Sequence, residues 1–196
     1  NCYPLISYAL SQLSRSLEKP SEAAWKSAMH TMHYLYANRH AGIGYTSDGN
    51  REPIAWYDSG HMQDRVDYKS QYGYVIMWFG GPLCWISKKR NHVGESSAED
   101  EYMALNHCYK KAKWLISLFE ELGWKERFMP VPMELRGDNK QAGRWGRENM
   151  ITNGNRFIER MYMKVREGVR NGDILPVWIE TALNISDVLT KAVPRE

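Results

Sequence analysis

The fold turns on ESSAEDEYMAL, residues 95–105. Three acids, Glu99, Asp100 and Glu101, stand side by side behind two serines, where an apolar periodic run begins. Ala98, Leu105, Cys108, Ala112, Leu115, Phe119 and Leu122 recur at helical spacing, which predicts an amphipathic helix over 97–122 ended by Gly123. Glu101 falls on the apolar stripe, four residues before Leu105 and seven before Cys108. Glu99 and Asp100 point to other sides, and helix initiation explains them. Ser96-x-x-Glu99 and Ser97-x-x-Asp100 both have capping-box spacing, and acids in a first turn favour the helix dipole. Glu101 has no such explanation. A carboxylate facing a core needs a partner, a proton or a metal.

Outward from that helix, three strand-like segments precede it: IAWYDS (54–59), YGYVIMWF (72–79) and LCWIS (83–87). Gly80-Gly81-Pro82 is expected to turn the second into the third as an antiparallel hairpin. After the helix come a short strand (132–137), a short helix in NKQAGRWGR, a basic amphipathic helix over 155–170, a strand over 174–180 and a short helix over 184–192. The order β-β-β-α-β-α-α-β-α implies a mixed sheet with helices on both faces. Upstream, 5–17 and 21–38 read as two helices separated by Pro20, with Ser21 as N-cap of the second. The polar, Gly-rich stretch 42–53 is read as a boundary, giving a helical segment 1–50 and an α/β domain 51–196. The chain starts Asn-Cys-Tyr-Pro, without Met, and is expected to be a piece of a longer polypeptide.

The partners of Glu101 are sought among acids at the ends of sheet elements. Asp58 ends the first strand, Asp138 ends the fourth in LRGDNK, and Asp187 opens the last helix in NISDVLTK. In a sheet flanked by helices, strand ends and helix starts converge on one edge. Four acids gathered there would repel one another and shift their pKa values upward. Divalent metals remove that problem. Mg²⁺ prefers carboxylate oxygens, and two ions about 3.5–4 Å apart clamp the attacking and leaving oxygens of a phosphodiester. Each acid also has a local reading as a turn or helix cap; the combination of one acid per element carries the inference.

Composition bounds the rest. With 25% charged and 43% hydrophobic residues the chain is of globular type, and its apolar runs fall short of a membrane span. Cys2, Cys84 and Cys108 form neither a disulfide framework nor a zinc pattern, which points to a reducing, intracellular compartment. Net charge is +3, yet residues 136–170 hold nine Lys/Arg against four Asp/Glu, a local excess compatible with a phosphate backbone as ligand. His30 and His33, three apart, are read as ordinary helix surface.

At the residue level the chain resembles the ribonuclease H domain of copia-type LTR retrotransposon Pol polyproteins. The resemblance lies in Tyr57-Asp58-Ser59, Asp67-Tyr68-Lys69-Ser70 with Gly73-Tyr74, Gly80-Gly81-Pro82 through Lys89, Ser96 through Leu105, Asp138-Asn139, and Ser186-Asp187-Val188-Leu189-Thr190-Lys191. Residues 10–45 resemble the reverse-transcriptase tail that leads into that domain. The resemblance implies a ribonuclease H-like fold with a five-stranded mixed sheet flanked by helices. It implies Asp58, Glu101, Asp138 and Asp187 as catalytic acids binding two Mg²⁺ (or Mn²⁺), and hydrolysis of the RNA strand of RNA–DNA hybrids during reverse transcription. Ser70, Lys88, Lys89, Arg90, Asn139, Lys140, Arg156, Arg160 and Lys164 are the expected contacts to the hybrid's backbone. The remaining partner is the rest of the Pol polyprotein, and the setting a cytoplasmic virus-like particle. Three departures stand out: Gly60 replaces the family's second aspartate, His61 its usual Trp, and Gly154 to Glu159 lack its histidine. They support an alternative, a catalytically inactive relic or a co-opted hybrid-binding module on the same fold.

Overall fold

The computed structural model describes residues 3–48, 50–62, 64, 67–94, 96–129, 132–147 and 159–192. Three antiparallel strands open the α/β part: β1 (Ile54–Gly60), β2 (Gln71–Trp78) and β3 (Gly81–Lys89). The hairpin turns on Phe79 and Gly80, one residue earlier than Gly80-Gly81-Pro82 suggested. Both central residues have positive φ, 51° and 78°, the geometry whose twist matches flanking strands. Gly81 instead begins β3, and a Cβ there would lie 2.5 Å from the Gly44 carbonyl. Residues 44–46 therefore run against the hairpin, with Tyr45 Oη donating to the Pro82 carbonyl at 2.9 Å.

Helix α3 (Ser97–Glu121) then crosses back over the sheet. Ser96 is its N-cap, accepting from the Glu99 amide at 3.1 Å. Gly123, at φ 68°, stops it. The apolar stripe is buried from Ala98 to Phe119, with Leu105, Cys108 and Ala112 fully enclosed, whereas Leu122, just past the helix end, is exposed. After a single turn, α4 (Lys125–Phe128), the strand β4 (Met133–Gly137) pairs parallel to β1. Helices α5 (Lys140–Arg147) and α6 (Glu159–Arg170) lead to β5 (Ile174–Trp178), parallel to β4. The spatial order is β3-β2-β1-β4-β5. The last short helix is a 3-10 segment, Ile185–Leu189, rather than an α-helix. It lies against β1 and β2.

Helices α3, α5 and α6 pack together over the sheet, around Tyr57, Tyr102, Leu105, Cys108 and Leu135. Trp78, Phe79, Phe119, Trp124 and Phe128 close one end of this core as an aromatic cluster. The N-terminal helix α1 (Ser7–Leu13) packs against β3. It is tied there by polar contacts: Ser11 Oγ accepts from Gln71 Nε2 at 2.9 Å, and Arg15 bridges Asp64 and the Gln71 Oε1 at 2.7 Å each. Helix α2 (Glu22–Ala37) is different: its periodic residues Trp25, Met32 and Tyr36 are all exposed.

Candidate active site

β1 and β4 lie side by side, and both deliver an acid at the same edge. Asp58 sits near the end of β1 and Asp138 follows the last residue of β4. The first turn of α3 reaches that edge with Glu101. Asp58, Glu101 and Asp138 each offer a carboxylate oxygen within 4.8 Å of the others. Asp58 and Glu101 are buried, at 4% and 7% exposure, and Asp138 is half-buried.

Little in the chain compensates these charges. Asp58 accepts from the buried Thr190 hydroxyl. Glu101 Oε1 accepts from the Ser59 amide at 3.3 Å, while its Oε2 is buried with no hydrogen-bond partner among the described residues. Burial pushes the Asp58 carboxyl up to about 6, with Asp187 and Asp138 adding repulsion against the pull of Thr190 and Lys191. Burial likewise pushes Glu101 well above the usual carboxylate range, with Asp58 and Asp138 next in effect. An orphaned buried oxygen and a converging all-oxygen donor set fit a hard divalent cation.

Asp187 stands outside this set. Its field is felt at Asp58 and Glu101, but Lys191 Nζ binds its Oδ2 at 2.7 Å. Its Oδ1 is buried and has no hydrogen-bond partner among the described residues. Asn184 fixes this segment to β1, donating from Nδ2 to the Tyr57 carbonyl at 3.1 Å and accepting from Ser186 through Oδ1.

Asp100 stands in the first turn of α3 as expected, but it does more than start the helix. It is fully buried. Arg90 Nη1 donates to its Oδ1, Ser70 Oγ to its Oδ2 at 2.5 Å, and His61 Nδ1 lies 2.6 Å from the same oxygen. Arg90 also binds Glu99 at 2.9 Å, and Ser70 Oγ accepts from the Met62 amide at 3.0 Å. Asp100 thus ties the chain after β1, the start of β2 and the end of β3 to the first turn of α3. This tie is not legible locally because its three partners come from distant segments, while a sufficient local role lies three residues away at Ser97.

The expected backbone contacts separate. Ser70 and Arg90 are buried and engaged by Asp100. Lys89 is bound to Asp64 and Asp67 at 2.6 and 2.7 Å. Asn139 caps α5, its Oδ1 accepting from the Gln141 and Ala142 amides. Lys88, Lys140 and Lys164 are exposed, and the Lys140 ammonium stands 4.3 Å from the Trp178 ring centre. Arg156 lies outside the described residues, as does the side chain of Arg160. His30 and His33 are exposed on α2.

A sheet in this order, with carboxylates converging at the paired ends of β1 and β4, defines a ribonuclease H-like domain. The chain superposes on a ribonuclease H1, LC11, isolated from compost by a metagenomic approach, with a TM-score of 0.53 and 18% identity, covering 71% of this chain and 93% of that one. LC11 in complex with an RNA/DNA hybrid matches at a TM-score of 0.50 and 16% identity, covering 71% and 94%. At those identities the likeness shows the fold. No family model matches the chain. Curated relatives do. The retrovirus-related Pol polyprotein from transposon RE1 of Arabidopsis thaliana is 30% identical over 193 residues, 98% of this chain and 13% of that protein. The Pol polyprotein from transposon TNT 1-94 of Nicotiana tabacum is 30% identical over 198 residues, 98% of this chain and 14% of its own length. The chain belongs with the Pol polyproteins of copia-type transposons as a retrotransposon ribonuclease H-like domain, spanning about an eighth of those relatives' length.

Proposed function

We propose that this domain hydrolyses the RNA strand of RNA–DNA hybrids with a divalent metal, Mg²⁺ or Mn²⁺, held by Asp58, Glu101 and Asp138. The observation that carries the reading is the convergence of three acids from three elements, with oxygens within 4.8 Å and almost no internal compensation. The compost enzyme's capture with an RNA/DNA hybrid directs the choice of substrate.

A cation bound there supplies charge neutralisation and polarises the oxygens of an in-line phosphoryl displacement. The chain's own residues do the positioning. Thr190 turns one oxygen of Asp58 and leaves the other to the site. The Ser59 amide holds one oxygen of Glu101 and leaves Oε2 to the ligand. Sheet pairing of β1 with β4 fixes Asp58 relative to Asp138. Cleavage of RNA alone requires recognition of the 2′-OH.

One observation favours the second reading, a hybrid-binding domain without turnover: Lys191 neutralises Asp187, the fourth acid of the expected set. A labelled RNA–DNA hybrid in Mg²⁺ decides between them. RNA-strand cutting by the parent, absent in Asp138→Asn and absent on duplex DNA, supports the nuclease. Hybrid binding without cutting, together with cutting restored by Lys191→Gln, identifies the Asp187–Lys191 pair as the block.

A further inference from the structure

We propose that the seam between β3 and α3, carrying Lys88, Lys110, Lys111 and Trp114, is a second nucleic-acid contact that takes the sugar–phosphate backbone of the hybrid away from the cleavage point. The inference rests on the hybrid substrate proposed above and extends it from the acids to the path of the duplex.

The pairing of cations on this side of the molecule is uneven. Arg15 and Lys89 are bound to Asp64, Lys69 and Lys89 to Asp67, and Arg90 to Asp100 and Glu99. Among the described residues, none of Lys88, Lys110 and Lys111 is paired with a carboxylate. They nevertheless lie together. β3 is the edge strand, and Lys88 stands opposite Tyr72 in the β2–β3 register. The Tyr72 ring stacks on His107 with centroids 4.4 Å apart. Lys110 and Lys111 follow His107 by three and four residues, one turn along the same side of α3, and Trp114 by seven. The Lys111 ammonium sits 3.5 Å from the Trp114 ring centre, and that ring is 53% exposed.

Three like charges on one seam repel, and apart from the Trp114 ring under Lys111 no described group offsets them. His107 registers the field: burial, then Lys110, Lys88 and Arg90, push its imidazole down to about 4. A polyanion with repeating charge relieves that repulsion. Trp114 lies thirteen residues beyond Glu101, roughly 20 Å along the helix axis. Successive phosphates of one strand rise by about 3.4 Å each, so a single duplex spans both places.

The test measures binding of the full chain to a fluorescent 20-base-pair RNA–DNA hybrid in EDTA, as a function of NaCl. The variants are Lys88→Ala/Lys110→Ala/Lys111→Ala and the matching triple arginine. Lys88 and Lys110 are exposed and Lys111 is half-buried, and circular dichroism checks the fold. Each lost phosphate contact lowers the slope of log K against log salt by about 0.9, so the alanine variant loses about 2.7 and the arginine variant recovers it. NMR of His107, faced by Tyr72, Lys88, Arg90 and Lys110, gives a second readout: its pKa rises when hybrid binds. An unchanged slope in the alanine variant, with a parent that binds and cuts hybrid, overturns this inference alone. A parent that does not bind hybrid overturns both this and the proposed function. Equal capture of poly-glutamate by the parent, with hybrid binding unaffected in the variant, assigns the seam to an acidic protein instead and also overturns it.

Discussion

Asp100 and Glu101 are neighbours in sequence, both buried, and their surroundings are opposite. Asp100 has a guanidinium, a hydroxyl and an imidazole within hydrogen-bond distance. Glu101 has one amide and two other carboxylates. A buried charge that the chain has surrounded with donors is part of the scaffold. A buried charge left among its own kind is stable only as an acid with a raised pKa, or with an ion supplied from outside. The difference separates structural from functional carboxylates without reference to any relative.

Four experiments break or sharpen that contrast. The largest effect is on turnover. Glu101→Gln or Asp138→Asn lowers RNA-strand cleavage by about 10³-fold or more, whereas Asp100→Asn leaves most of it; single-turnover rates on a labelled hybrid compare them. On stability the order reverses. Asp100→Ala leaves Arg90 buried with Glu99 as its remaining carboxylate and Ser70 and His61 without their acceptor, and costs about 3 kcal/mol, seen as a fall in the urea midpoint. Glu101→Gln relieves repulsion in metal-free protein and raises its Tm. Mg²⁺ comes next: at 100 times its Kd it stabilises the parent by about 2.7 kcal/mol, a gain retained by Asp100→Asn and lost in Glu101→Gln by calorimetry.

The smallest effect is His107. Its folded pKa is about 4, below the ordinary 6.5, so the unfolded chain takes up a proton first. Stability therefore falls as pH drops from about 6.5 towards 4, by on the order of 1 kcal/mol for a side chain this accessible to solvent. His107→Gln flattens that part of the urea-midpoint profile, and an unchanged profile would refute the assignment.

Much of this was legible in the sequence because it is local or periodic. The 3.6-residue stripe of α3 placed Glu101 towards the interior, and alternation with turn residues located the strands to within a residue or two. Asp58 was visible as an acid ending the apolar run of β1, and Asp138 as an acid between the fourth strand and a helix. What escaped depends on packing at a distance. The Asp100 partners are contributed by three separate segments. The Asp187–Lys191 pair is the local exception, with an i,i+4 spacing that predicts it. Helix α2 shows the converse: Trp25, Met32 and Tyr36 recur at helical spacing, yet all three are at the surface, since periodicity states which face is apolar and not whether anything covers it.

Gln71 sets a limit on how the protein can be shortened. Its buried amide donates to Ser11 and to Ser87 and accepts from Arg15. Ser87 in turn donates to the Leu189 carbonyl at 2.6 Å, one residue before the threonine that holds Asp58. A cut at residue 50, where the sequence suggests a boundary, would strand one donor and one acceptor of that amide at the head of a relay ending beside the acids. Any trimmed version made for crystallisation or screening should retain the first fifteen residues, or replace Gln71 with an apolar side chain.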